Sequence, residues 1–251
     1  SWLFSSCLQC PTCLSGREQI CPTKKATCIG HHGGFARQMT ADSRFVYPIP
    51  KGLDSAHAAP LLCAGATVYA PLRRFKVQAP DRVAVIGIGG LGHLAIQFAN
   101  AFGSHVTAIS SSPGKEKEAR AFGAKQFLTL QEIVSNPAQL SMSFDWIVST
   151  VHADLDWELI CSLLTTSGTL CLLGKPPSTI RLNPLTSLSN ERSVAGSSVA
   201  SRATINEMLL FAAEHAITPQ IELMPFSQIN EAIERVRSNQ ARYRIVLGAH
   251  S

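Results

Sequence analysis

The stretch Arg82-Val83-Ala84-Val85-Ile86-Gly87-Ile88-Gly89-Gly90-Leu91-Gly92-His93 decides the fold. Its first half ends in a continuous apolar run, the signature of a strand buried on both faces. Glycines then follow at G-x-G-x-x-G spacing, directly before a helical stretch, His93 to Phe102, that Gly103 closes. Gly87 permits the tight turn, Gly89 lets the backbone approach a pyrophosphate, and Gly92 allows close packing of helix on strand. With Gly90 and Leu91 they form a turn that aims a helix N-terminus, with its free N–H groups and partial positive charge, at phosphate. The strand–turn–helix context favours a dinucleotide site over a glycine-rich turn with no ligand.

Downstream the same alternation continues. His105–Ile109, Phe144–Ser149 and Gly168–Leu173 read as buried strands; Lys115–Phe122 and Leu155–Leu164 read as helices. Repeated βαβ units imply a parallel sheet with helices on both faces, a doubly wound α/β domain of Rossmann type. Beyond Gly174 the segment Lys175–Leu188 has no clean period. Ser193–Val199 reads as a strand, Thr204–His215 as a helix capped by Thr204 with Glu207 three residues on, Ser227–Val236 as a helix and Tyr243–Leu247 as a last strand. The first fifty residues are loop-rich. The expected organisation is a nucleotide domain over 51–197, flanked by two pieces of a second domain, 1–50 and 198–251.

The end of the second strand speaks to the cofactor. An NAD site places Asp or Glu about 20 residues past the turn to accept from the ribose 2′-hydroxyl. Here the segment reads Ser110-Ser111-Ser112-Pro113-Gly114-Lys115, and no acid occurs between Gly92 and Glu116. Three hydroxyls and an ammonium suit a 2′-phosphate that a carboxylate would repel, so the expected cofactor is NADP(H) rather than NAD(H). A plain solvated turn is the alternative for these residues.

Four of the eight cysteines lie in Cys7-x2-Cys10-x2-Cys13-x7-Cys21. Four thiolates on one loop can close a tetrahedron around Zn²⁺ with no position left for substrate, a structural site. The seven-residue gap argues against an iron–sulfur cluster. No stretch near Trp2-Leu3-Phe4 reads as an export signal, and the longest apolar run, 83–99, is interrupted by its glycines, His93 and Gln97. Metal binding is therefore favoured over disulfides, and a cytoplasmic setting is expected. The net charge of +5 is spread thinly, without a basic run, which argues against a nucleic-acid partner. No membrane partner is expected either.

In this order these signatures resemble the zinc-dependent medium-chain alcohol dehydrogenases, within them the cinnamyl-alcohol-dehydrogenase-like group and its bacterial NADPH-dependent aldehyde reductases. The supporting stretches are Ser6 to Pro22, Gly33-Gly34-Phe35-Ala36, Pro60-Leu61-Leu62-Cys63-Ala64-Gly65-Ala66-Thr67-Val68-Tyr69, the glycine turn, and Ala241-Arg242-Tyr243-Arg244. The resemblance spans essentially the whole chain. It implies that the second domain is part of a GroES-like β-rich catalytic domain, and that Cys63 is a ligand of a catalytic zinc. By residue type alone Cys63 would be a buried core residue. It further implies that Thr67 meets the cofactor, that Thr150 and Val151 line its adenine and ribose side, and that Gly174 and Ser197, Ser198 and Val199 lie near the nicotinamide. A homodimer or homotetramer, with dimer pairing through 187–199, is implied as well.

The implied reaction is hydride transfer between NADP(H) and an aldehyde or primary alcohol. The family's other catalytic-zinc ligands come from a Gly-x-Cys-His pattern and a His-Glu pair, and its proton relay from a Ser/Thr–His pair. Neither of the two zinc-ligand patterns occurs in the 251 residues. His31, His32, His57 and Cys28 read as surface or loop residues, not as replacements. The chain is expected to be N-terminally truncated, to bind NADPH, and to reduce aldehydes poorly or not at all. Two other readings remain: a zinc-free quinone-reductase-like oxidoreductase, and a non-catalytic NADPH-binding or redox-sensing protein that uses the cysteine loop as a thiol switch.

Overall fold

A computed structural model describes residues 1–248 except 31 and 37. The chain divides into two compact units, Ser1–Ala70 with Ser198–Ser251, and Pro71–Ser197. The first division therefore falls at 70/71, inside the helix Ala66–Arg74, and not at 50/51 as the composition suggested. Residues 51–70 belong with the first unit because Leu53, Ala58, Leu61, Val68 and Tyr69 are buried there. Tyr69 stacks on Phe211 at 5.5 Å and its hydroxyl donates to Glu207 at 2.9 Å.

In the first unit β1 (Leu3–Ser5) and β2 (Lys25–Ala26) pair antiparallel on either side of the cysteine loop. The loop carries one short helix, Pro11–Leu14, started by proline at a position where the missing N–H costs nothing.

The second unit is one six-stranded parallel sheet. Its strands are β3 (Arg82–Ile86), β4 (His105–Ser110), β5 (Gln126–Thr129), β6 (Phe144–Ser149), β7 (Leu164–Leu172) and β8 (Ser193–Gly196). Their order is β5-β4-β3-β6-β7-β8. From β3 the chain winds outward through β4 and β5, then returns to the other side of β3 and winds out again. The order thus reverses between β3 and β6, the switch point at which doubly wound sheets place a ligand crevice, at the carboxyl ends of the strands. Ile86, Ile109, Ile147 and Leu170 are fully buried in the sheet. Each such side chain contributes roughly 1.5–3 kcal/mol of apolar burial.

Three features depart from the expected elements. The short edge strand β5 went unread because its residues are exposed or half-buried and show no alternation. The helix after it, Leu130–Ser135, opens with a capping box between Thr129 and Glu132. The helix expected over 155–164 ends at Ser162, and β7 starts at Leu164, four residues early. The register against β6 slips between Phe144 and Trp146. Arg192 satisfies the displaced backbone, donating to the carbonyls of Leu164 at 2.6 Å and Ser162 at 3.3 Å.

Back in the first unit, the helix Arg202–Glu214 is capped by Ser201, whose hydroxyl accepts from the Thr204 N–H at 3.2 Å. The expected cap, Thr204, lies inside the helix, and Glu207 serves Tyr69 instead of a capping box. β9 (Ile221–Pro225), unread in the sequence, pairs parallel with β10 (Arg244–Gly248). The helix between them runs Ile229–Arg237. No helix among the described residues is long and apolar enough to cross a membrane.

Candidate functional site

The glycine turn sits at the crevice of the second unit, and the structure shows what each glycine is for. At Gly92 a Cβ would stand 1.7 Å from the Gly87 carbonyl oxygen, so only glycine lets the helix Gly92–Ala101 start so close to β3. Gly87 has φ +90°, and a Cβ there would meet Val151 at 2.6 Å and the Thr150 hydroxyl at 2.9 Å. At Gly89 a Cβ would meet nothing within 4 Å. That position opens outward, as a cradle for a ligand requires. The N–H groups of Gly89 and Leu91 have no partner among the described residues.

The turn is held from the neighbouring strands. The Gly87 N–H donates to Ile109 O at 2.9 Å. The Thr150 hydroxyl donates to both Ile86 O (3.0 Å) and Gly87 O (3.1 Å). Thr150 therefore secures the turn with its side chain. Gly174 packs against Val151 so closely that a Cβ would lie 1.9 Å from the Val151 carbonyl oxygen. One residue that sequence reasoning missed joins this wall: the His152 ring accepts the Lys175 N–H at 3.2 Å, tying the loops after β6 and β7. No spacing signal marks it, because the contact joins two loops 23 residues apart.

At the end of β4, Ser110 is buried and its hydroxyl accepts the Ser112 N–H at 3.1 Å. Ser111 and Ser112 are exposed. The Lys115 ammonium folds back and donates to the Ile88 carbonyl within the glycine turn. The structure thus joins Lys115 and the serine loop to the turn, although more than twenty residues separate them in sequence.

The first unit holds the cysteines. Their four sulfurs lie within 4.8 Å of one another. Individual separations are 3.8 Å for Cys7–Cys13, 3.9 Å for Cys10–Cys21 and 3.6 Å for Cys7–Cys21. A tetrahedron of thiolates at the zinc–sulfur distance of ~2.3 Å has edges of ~3.8 Å, so the donor set fits zinc without rearrangement. The backbone N–H of Cys7 and then the Thr23 hydroxyl hold the Cys21 thiol down to about 6, while burial pushes Cys13 up to about 11. All eight cysteines are free thiols.

Cys63 lies on a π-helical turn, Leu61–Gly65, and is exposed, not part of the core as its residue type suggests. Such turns recur at functional sites. The Thr67 hydroxyl donates to the Cys63 carbonyl at 2.7 Å. Among the described residues, the only group of three or more His, Cys, Asp or Glu able to share an ion is the four-cysteine set. Cys63 is therefore not joined by His32, His57 or Cys28 in a second site; His31 lies outside the described residues. Ser197 ends the second unit, and Ser198 and Val199 begin the return to the first, all three half-buried.

Residues 90–214 match the family model of the zinc-binding dehydrogenases. Over 253 aligned residues the chain is 43% identical to the aldehyde reductase AdhA of Synechocystis sp., covering 100% of this chain and 74% of that protein. The chain belongs to the zinc-binding dehydrogenase family. Among solved dehydrogenases it superimposes on a cinnamyl alcohol dehydrogenase of Sorghum bicolor with a TM-score of 0.89, at 36% identity, covering 99% of this chain and 73% of that one. A cinnamyl alcohol dehydrogenase of Helicobacter pylori, solved with NADP(H), gives a TM-score of 0.86 at 30% identity, covering 98% and 73%. This dehydrogenase thus carries the parallel sheet, the glycine turn and the cysteine loop in one chain with the family's fold.

Proposed function

We propose that this dehydrogenase binds NADP(H) and serves hydride transfer between that cofactor and an aldehyde or primary alcohol. The observation that carries the reading is the Lys115–Ile88 contact beside a serine loop that lacks any carboxylate. The N–H groups of Gly89 and Leu91, at the start of the helix Gly92–Ala101, would hold the pyrophosphate. Ser110, Ser111, Ser112 and Lys115 would hold the 2′-phosphate. Val151 and Gly174 shape the wall of the crevice, and Thr150 keeps the turn in place. The family resemblance implies a cofactor contact for Thr67, Ser198 and Val199 as well. When bound, NADPH would supply the hydride.

Cys7, Cys10, Cys13 and Cys21 would hold a structural zinc and tie down the loop between β1 and β2. Cys63 would give one ligand to a catalytic zinc. One ligand does not make a site, so the described residues do not fit that second metal by themselves. The exposed edge strand β8 would supply a dimer contact, as the family resemblance implies.

Titration with NADPH and NADH by fluorescence, with zinc counted per chain on the same sample, tests the reading. Tight NADPH binding, weak NADH binding and one zinc per chain are the expected result. Preference for NADH refutes the role given to Ser110–Ser112 and Lys115. Two zincs per chain refute the incomplete second site.

A further inference from the structure

The proposed cofactor crevice takes the carboxyl ends of the parallel strands. The opposite end of the same sheet carries another concavity, of about 360 Å³. That is within the range of small-molecule sites, roughly 300–1,000 Å³. Its rim is built from the first residues of four neighbouring strands: Arg82 of β3, His105 of β4, Gln126 of β5 and Phe144 of β6. Lys125 stands just ahead of β5. Parallel pairing holds them side by side, with Arg82 opposite His105 and Thr107 opposite Gln126.

No carboxylate lines the concavity. Two carboxylates adjoin lining residues in sequence: Asp81, whose Oδ2 accepts the Gln78 N–H at 2.9 Å, and Asp145, which is turned to Arg82, taking Nε at 3.2 Å and Nη2 at 3.1 Å. Asp145 partly neutralises that cation and leaves Nη1. Lys125 and His105 are exposed, and neither side chain makes a hydrogen bond or ion pair among the described residues. The Thr107 hydroxyl donates to Gln126 Oε1 at 3.4 Å, which leaves the amide nitrogen as a further donor. The helix Gly92–Ala101 ends nearby, but its last carbonyls accept from Phe102, Gly103 and Ser104 and are not offered to a ligand. Beneath these donors lie the buried Val106 and Phe144 and the half-buried Leu140. Donors at the rim and hydrocarbon at the floor select for an anion with an apolar body.

We propose that this concavity is a second ligand site that binds a small organic carboxylate carried on a short apolar or aromatic group. The carboxylate meets Lys125, His105 and the Gln126 amide, and the body lies on Val106, Leu140 and Phe144. The site is independent of the cofactor reading, because none of its residues belongs to the glycine turn or the serine loop.

The test uses the whole chain labelled with ¹⁵N and titrated with benzoate. Saturable shifts at the Thr107, Gln126 and Phe144 amides are expected. Lys125→Gln should weaken binding roughly two- to fivefold, the range for one exposed charge contact, and His105→Gln should weaken it by a similar factor through loss of a ring N–H donor. Both side chains are exposed, and an unchanged ¹⁵N amide spectrum away from the concavity checks that the variants fold. Benzamide, which has the same body without the charge, should bind more weakly than benzoate. So should inorganic phosphate, which has charge without the body. The absence of saturable shifts, benzoate affinity unchanged in both variants, or equal binding of either control overturns the proposal.

Discussion

Gly89→Ala and Gly92→Ala add the same methyl group three residues apart and should have opposite consequences. At Gly92 the new Cβ would sit 1.7 Å from the Gly87 oxygen. Relief requires a shift of more than ~1 Å in a turn held by the Gly87–Ile109 and Thr150–Gly87 hydrogen bonds. Overpacking costs about 1–3 kcal/mol. Losing the two hydrogen bonds adds about 1 kcal/mol each. The expected destabilisation is therefore about 3–5 kcal/mol, and the thermal midpoint should fall by roughly 10 °C. At Gly89 the methyl meets nothing within 4 Å, and the backbone there is not left-handed. Stability should stay within about 1 kcal/mol of the parent. NADPH affinity should nevertheless fall roughly 10- to 100-fold, as expected for losing a charge-assisted contact worth about 1.5–3 kcal/mol. Urea unfolding followed by tryptophan emission, paired with NADPH titration, separates the two effects. A Gly89→Ala protein that binds NADPH as the parent does refutes the idea that this backbone approaches the pyrophosphate.

Lys115→Ala should weaken NADPH binding by about tenfold and leave NADH binding unchanged, since only the former offers a 2′-phosphate; parallel fluorescence titrations decide. Cys7→Ser should remove the zinc and loosen the loop between β1 and β2, read as zero zinc per chain by atomic absorption and faster proteolysis within residues 6–24. Ser201→Ala should cost about 1 kcal/mol in urea unfolding, whereas removing the Thr204 hydroxyl should cost less, because Ser201 is the cap.

Asp145 gives a pH dependence. Partial burial pushes its carboxyl up, but Arg82 outweighs this through its side chain and backbone N–H, with the Thr165 hydroxyl adding to it, and holds it below the ordinary 3.8. A lowered carboxyl stabilises the fold above its unfolded value, and this contribution is lost as pH falls through the folded value. Asp145→Asn should thus cost about 1–2 kcal/mol at neutral pH, allowing for its exposure, and the difference from the parent should shrink below pH 4. Urea midpoints measured across pH 3–7 test the sign.

Much of this was legible before any coordinates. β3, the turn and its helix were readable because strand burial, glycine requirements and helix start are all local, within about twenty residues. The cysteine spacing was readable for the same reason. Other elements were hidden by tertiary context. β5 lies at an edge and has no buried face of its own, and β9 is defined by pairing with β10, about twenty residues further on. Thr204 looked like a cap because its hydroxyl and Glu207 fit the spacing. Ser201 does the capping because the helix starts earlier, and Arg202 at its first position reaches Glu18, 184 residues away, at 3.1 Å.

The sequence by itself determined the class of fold, the glycine turn, the lack of an acid between Gly92 and Glu116 and the four-thiol loop, since each depends on residue type and short-range spacing. Only the tertiary structure decided that the four sulfurs stand at tetrahedral separations, that Lys115 reaches back to the Ile88 carbonyl, that Cys63 is exposed and lacks, among the described residues, two neighbours able to share an ion with it, and that four strand starts assemble a basic concavity. These depend on which distant segments are neighbours. That is settled by burial of the whole sheet, and no local pattern encodes it.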